Sequence, residues 1–266
     1  MMQGAPEKAF EQPMLEVKGL TRLYGPNKGC QRIDFELYRG EILGIVGESG
    51  SGKSTLLRCL ANLEKADHGQ LLYQSPDQGQ VELEKLAEAQ RRSLMRSEWG
   101  IVHQNPRDGL HLDISAGANV CERLMGQGAR HYGQIRARTK EWMQRVELDP
   151  ARIDDKPATF SGGMQQRLQI ACNLVTSPRL LLMDEPTGGL DVSVQARLLD
   201  LLRQLVHELG VSVVLVTHDM GVARLLADRL LVMRHSEIIE TGLTDQILDD
   251  PQMPYTQLLV SSIIRA

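Results

Sequence analysis

The eight residues Gly47-Glu48-Ser49-Gly50-Ser51-Gly52-Lys53-Ser54 carry the most specific chemistry in the chain. Three glycines let successive backbone amides turn inward and approach an anion without Cβ clashes. Lys53 adds a point charge of the kind that sits between the β- and γ-phosphates of a nucleotide. The Ser54 hydroxyl can ligate Mg²⁺, and Thr55 can reach the α-phosphate. A second pair stands far downstream: Leu180-Leu181-Leu182-Met183 is an apolar run that ends on Asp184 and Glu185. Ligands of open α/β sheets gather at the carboxyl ends of strands. There Asp184 can hold the Mg²⁺ shell, through water, and Glu185 can polarise an attacking water as general base. A lone Asp-Glu after a strand is ordinarily a solvated loop, and the glycine-rich cradle is what changes its meaning.

These groups need strands and helices that hold them. Ile42–Val46 is an apolar run bounded by Gly40 and Gly47, and it predicts a buried strand before the cradle. Ser54–Asn62 predicts a helix after it, whose N-terminus would face the phosphates. Leu180–Met183 and Val211–Val216 predict two more buried strands. Between them Val194, Leu198, Leu201, Leu202, Leu205 and Leu209 give Ser193–Leu209 a helical stripe. Alternating strands and helices imply a mostly parallel sheet covered on both faces. Met14–Lys18 and Ile33–Leu37 alternate as half-buried strands around a turn at Gly25–Gly29. Leu83–Ser97 reads as a charged amphipathic helix. Arg107–Pro157 has little strand character and predicts helices at Gly117–Leu124 and Gln134–Val146, so a helical insertion at about 105–165 is expected.

The chain resembles the ATP-binding cassette family from Leu15 to about Gly242. Phe160-Ser161-Gly162-Gly163-Met164-Gln165 is similar to the LSGGQ signature, with Phe for the leading Leu and Met at the usual Gln position. In that family the segment caps a helix that faces the γ-phosphate held by another subunit. Other positions match one by one. Tyr24 resembles the aromatic that stacks on adenine, and Gln104 the glutamine that senses Mg²⁺. Gly189-Leu190-Asp191 resembles the loop whose Asp191 aligns the opposing site, and His218 the histidine that contacts the γ-phosphate. The resemblance implies a P-loop α/β fold with a mostly parallel central sheet, an antiparallel β subdomain and a helical subdomain. It implies ATP and Mg²⁺ as ligands, with Glu185 and His218 catalytic. Tyr24, Gly47 to Thr55, Gln104, Ser161 to Gln165 and Asp191 would bind nucleotide, and Ser54, Gln104 and Asp184 the metal. One copy of each half-site implies a homodimer, or pairing with a related cassette. The expected organisation is a flexible tail over 1–13, the ATPase domain over 14–242 and a C-terminal helical extension over 243–266.

Composition narrows the setting. The 266 residues carry 30 Lys plus Arg against 34 Asp plus Glu, a formal charge of −4, which disfavours direct nucleic-acid binding. The apolar runs are too short to cross a bilayer, the first residues lack an apolar leader core, and four scattered cysteines suit reduced thiols; together these point to the cytoplasm. Longer blocks, Glu98–Pro106, Glu122–Met125, Gly128–Gly133, Phe160–Ala171 and Pro186–Arg197, resemble the ATP-binding subunits of bacterial phosphonate degradation. That implies ATP-driven assistance to the soluble carbon–phosphorus lyase core complex. The lyase chemistry itself would lie elsewhere, because no CxxxCxxC cluster-ligand set is present. In that reading the partner docks near Gln104–Tyr132, with Arg123, Arg130 and Arg136 meeting an acidic surface. The tail Asp250–Leu259 instead resembles the oligopeptide, dipeptide and nickel importers, whose partner is a membrane permease. Such subunits often continue into an extension, so a chain ending at Ala266 leans away from them. A cassette acting on DNA or ribosomes would favour tandem copies or long insertions.

Overall fold

The computed structural model describes residues 12–26 and 28–261. Two sheets organise them. Strands β1 (Leu15–Gly25), β2 (Lys28–Leu37), β4 (His68–Ser75) and β5 (Gly79–Glu82) form an antiparallel sheet in the order β2-β1-β4-β5. Strands β3 (Ile42–Val46), β6 (Trp99–Val102), β7 (Leu180–Asp184), β8 (Ser212–Thr217), β9 (Arg229–Arg234) and β10 (Glu237–Leu243) form the second, ordered β10-β9-β3-β8-β7-β6. It is parallel except at the β9–β10 hairpin. The apolar runs that predicted β3, β7 and β8 are buried because helices cover both faces of a parallel sheet.

Helix α1 (Lys53–Leu60) follows β3, and α2 (Glu88–Glu98) precedes β6. A helical subdomain then comprises α3 (Ala116–Gly126), α4 (Tyr132–Arg145) and α5 (Gly162–Leu174). Helix α6 (Val192–Leu209) buries Leu198, Leu201, Leu202 and Leu205, the stripe seen in the sequence. Helices α7 (Met220–Leu226), α8 (Thr244–Asp249) and α9 (Pro254–Ser261) are the last helices among the described residues. Among the described residues no helix is long and apolar enough to cross a membrane.

Several elements depart from the sequence reading. The helix expected over Leu83–Ser97 is a 3-10 turn at Leu83–Lys85, an extended Leu86, and then α2. Strand β6 was not predicted. It is four residues long and lies at the sheet edge, where its polar groups would be unpaired. Helix α5 covers that edge with side chains: Asn173 Oδ1 accepts from Ile101 N at 2.9 Å, and Gln169 Oε1 from His103 N at 2.7 Å. Gly100 leaves room for both neighbours, since a Cβ there would lie 2.7 Å from Leu181 Cδ1 of β7 and 3.2 Å from Asn173 Cβ of α5. Within the helical subdomain Asn119 closes the loop before α3 by bonding both the amide and the carbonyl of His111, at 2.7 and 3.0 Å. The tail expected over 1–13 lies, for residues 1–11, outside the described residues, as do residues 262–266 of the expected C-terminal extension.

Candidate functional site

The carboxyl ends of β3, β7 and β8 meet at one corner of the parallel sheet, and most of the sequence-predicted groups converge there. After β3 the chain turns through Gly47, Gly50 and Gly52, all with positive φ. Gly47 admits no side chain: a Cβ would sit 2.2 Å from the Met233 carbonyl oxygen at the end of β9. Gly52 is equally tight, with the Gly29 carbonyl oxygen 1.9 Å from an added Cβ. The loop is therefore pressed onto β2 and β9 from behind, and its open face is left to a ligand. Lys53 begins α1 and is buried. Its ammonium folds back over the loop and donates to the Gly47 and Glu48 carbonyls, each at 2.8 Å, with the Ser51 hydroxyl at 3.4 Å. Burial pulls the Lys53 pKa below its ordinary value.

Strand β7 brings Asp184 beside the cradle, where Ser54 Oγ donates to Asp184 Oδ1 at 3.3 Å. Burial raises the Asp184 pKa above the usual carboxylate range. A hydroxyl and a carboxylate side by side at the mouth of a phosphate-shaped loop are oxygen donors of the kind Mg²⁺ takes together with phosphates, so these residues fit that ion. The next residue, Glu185, adopts a left-handed φ of 42°, a strained conformation for a non-glycine residue. Its amide donates to the Val216 carbonyl of β8 at 2.8 Å, and its own carbonyl accepts from Gly188 N at 2.9 Å. This turn directs the carboxylate at two partners. Gln104 Nε2 donates to Oε2 at 2.9 Å, and His218 Nδ1 lies 2.8 Å from Oε1. The Gln104 carbonyl oxygen is the atom that remains for a cation. Gln104 follows β6, and His218 follows β8, so three strand ends are tied through one carboxylate.

Tyr24 lies on β1, which is not one of these strands. It is 53% exposed, its hydroxyl donates to Glu64, and the Arg22 guanidinium lies 5.1 Å from its ring centroid. Arg22 is itself held by Glu64 and Asp67, each at 2.7 Å. A ring fixed at its hydroxyl and backed by a cation on one side presents the other side to a planar base. The Glu64 hydrogen bond raises the Tyr24 phenol pKa. Glu64 and Arg22 were not singled out by the sequence, because nothing local marks them as partners of Tyr24.

The signature-like segment is not part of this corner within one chain. Ser161 caps α5, with Oγ accepting from Met164 N at 3.4 Å, and Ser161 and Gly162 are exposed. Gly163 packs so closely on α6 that a Cβ would lie 2.8 Å from Val194 Cγ1. Two of the expected nucleotide contacts look inward instead. Gln165 is buried and donates to the carbonyls of Pro157 and Phe160, at 2.8 and 3.3 Å, so it shapes the loop from below. Met164 Sδ accepts from Arg152 at 3.7 Å. Asp191 precedes α6, is exposed and makes no capping hydrogen bond. Gln195, one turn on, donates to Asp219 at 3.1 Å and so links this loop to the residue after His218. That link was missed because the two residues are remote in sequence.

The arginines expected on the docking surface are mostly engaged within the chain. Arg123 is turned inward and donates to the Trp99 carbonyl at 2.5 Å and to Asn173 Oδ1. Arg136 grips both Asp154 oxygens, at 2.8 and 2.6 Å. Arg130 closes its own loop by donating to the Met125 and Ala129 carbonyls, at 2.8 and 2.9 Å. What the region does offer is an open groove lined by Leu110, Leu112, Ile114 and Met125, with the His111–Glu122 pair alongside.

Known proteins resemble this chain in sequence and fold. A family model described as ABC transporter matches residues 30–188. The putative phosphonates utilization ATP-binding protein PhnK of Escherichia coli is 61% identical over 96% of this chain and the whole of that protein. The dipeptide transport ATP-binding protein DppF of Escherichia coli is 37% identical over 97% of this chain and 79% of that one. A dimeric structure of the ATP-binding cassette MJ0796 in a post-hydrolysis state, bound to ADP and Pi, superposes with a TM-score of 0.76. It is 30% identical and covers 87% of this chain and 99% of its own.

Proposed function

The chain belongs to the ABC transporter family and is an ATP hydrolase of that kind; from this premise we propose that two copies close around Mg-ATP to drive a soluble carbon–phosphorus lyase complex. The observation that carries the hydrolytic part is the Glu185 carboxylate. It is held on both oxygens by Gln104 and His218, beside the lysine that covers the phosphate loop. Lys53 and the loop amides bind the β- and γ-phosphates, and Tyr24 takes the adenine. Ser54, Asp184 and the Gln104 carbonyl would hold Mg²⁺, which when bound neutralises phosphate charge. Glu185 takes a proton from the attacking water, and His218 orients that carboxylate and the γ-phosphate. Ser161 and Gly162 on the exposed start of α5 then complete the site of a second copy, with Asp191 beside them. A homodimer, or a pair with a related cassette, satisfies this need.

The phosphonate part is supported by the 61% identity to a phosphonates utilization protein across its full length. The partner docks on the groove from Leu110 to Met125, in the segment that follows Gln104, the residue bonded to the Glu185 carboxylate. No nucleic acid takes part, and the working place is the cytoplasm. A second reading, an energy-coupling subunit of a dipeptide-type importer, is favoured by the 37% identity to a dipeptide transport protein. Co-purification from cells grown on a phosphonate, with and without ATP, separates the two. Recovery of lyase subunits together with lost phosphonate growth on deletion supports the proposal. Recovery of a membrane permease in their place replaces it with the importer reading.

A further inference from the structure

We propose that Tyr255 on α9 is a positioning residue for the phosphate loop, through which the C-terminal segment sets nucleotide affinity. The inference rests on the ATP-binding reading of that loop and adds a residue to it. Tyr255 lies outside the region the family model matches, residues 30–188. Its hydroxyl oxygen nevertheless accepts from the backbone N–H of Glu48, inside the loop, at 3.0 Å. The carbonyl of the same residue accepts from Lys53 Nζ at 2.8 Å. Glu48 is thus held on one side by the C-terminal helix and on the other by the lysine expected to meet the phosphates. A change in where Tyr255 sits changes where that peptide sits, and with it the position of the ammonium.

The surroundings show that the tyrosine is aimed and not merely nearby. Its ring packs on the apolar cluster that includes Val46, the last residue of β3, and Met220 of α7. The Arg234 guanidinium lies 4.7 Å from its ring centroid. Arg234 closes β9, the strand whose end already supports the loop. The Ser236 amide donates to the Ser51 carbonyl at 3.1 Å, and Met233 blocks any side chain at position 47. The approach of α9 is fixed separately by Glu240 on β10, whose carboxylate accepts from the amides of Gln252 and Met253 at 2.7 and 3.2 Å. One end of the segment is clipped to the sheet edge and the other to the back of the cradle. The Glu48 amide is occupied by the tyrosine, which leaves the other loop amides for phosphate.

Tyr255→Phe keeps the ring, its packing and the Arg234 contact, and removes only the acceptor. Losing one neutral hydrogen bond corresponds to a change of about threefold to tenfold in an equilibrium. We expect the Kd of ATP and ADP to rise by that factor, and the KM of ATP with it, while kcat stays within about twofold, because the groups around Glu185 are untouched. Hydrogen–deuterium exchange of the Glu48 amide should quicken in the nucleotide-free protein. Glu240→Gln, which loosens the clip without touching the loop, should shift KM in the same direction, and the double variant should fall short of the sum. A lowered Tm with unchanged KM and unchanged Glu48 exchange would assign Tyr255 to packing and overturn the inference. An additive double variant would also overturn it. Failure of the wild-type chain to bind ATP is a different result, and it removes the reading beneath.

Discussion

The strand-end corner around Glu185 and the start of α5 are both made of short polar loops on apolar supports, yet they are finished to different degrees. At the corner, polar side chains point at one another. Lys53 covers the loop carbonyls, Ser54 meets Asp184, and Gln104 and His218 hold Glu185. At the start of α5 the buried residue is held by its own loop, while the exposed ones bond no group of the corner. Gln165 is buried on its own loop, while Ser161 and Gly162 are open and Asp191 caps nothing. Among the described residues no hydrogen bond joins Ser161–Gln165 to the phosphate loop. The buried half of this region is firmly built, and its exposed half is the surface that the proposed dimer would use. One chain therefore carries a corner of mutually bonded polar groups and, apart from it, an exposed helix start.

The sharpest way to break this comparison is at Gly162, where an added Cβ meets nothing closer than Leu190 Cδ2 at 3.9 Å. Gly162→Asp should fold and bind ATP but lose hydrolysis, because a carboxylate would face the partner's γ-phosphate. Mixing it with Lys53→Ala, also inactive alone, should restore part of the turnover, since one heterodimer site pairs the intact cradle with the intact α5 start. Full activity of wild type as a strict monomer would end the distinction between the two regions. Glu185→Gln tests the corner alone. Hydrolysis should slow by roughly 10²–10⁴-fold with ATP still bound, the range for losing a general base; near-normal turnover would remove Glu185 from that role.

Arg123→Ala probes the support of α5 and not its surface. It strips partners from the Trp99 carbonyl and Asn173, so chemical denaturation should report a loss of about 1–3 kcal/mol. An unchanged midpoint would mean that water replaces the guanidinium. The smallest effect belongs to Asp154→Asn, on the exposed Arg136 pair. Arg136 holds the Asp154 pKa below the ordinary carboxylate range. The stabilisation is therefore present above the unfolded-state value and disappears as pH falls through the lower folded one. Thermal melts should show a small, salt-sensitive loss at neutral pH and none in strong acid. A loss that persists in acid would point to a cause other than charge.

Much of the corner could be read from the chain because its parts are contiguous. The cradle occupies eight successive residues, and Asp184-Glu185 end an uninterrupted apolar run, so local spacing fixes both their type and the strands that deliver them. The helical stripe of α6 is visible for the same reason. Strand β6 was invisible because a four-residue edge strand has too few residues to show a period, and its pairing depends on β7 and on the buried amides of α5. Arg123 looked like a surface charge because sequence position does not say which side of α3 faces the edge strand. Only the folded chain could decide that Gln165 looks inward, that Glu64 fixes Tyr24, and that Tyr255 reaches the Glu48 amide. The sequence by itself determined which groups have the type and spacing suited to phosphate, since backbone turns and charge are local properties. The tertiary structure decided which of them act on one another, since a hydrogen bond across the fold requires strands and helices remote in sequence to be packed first.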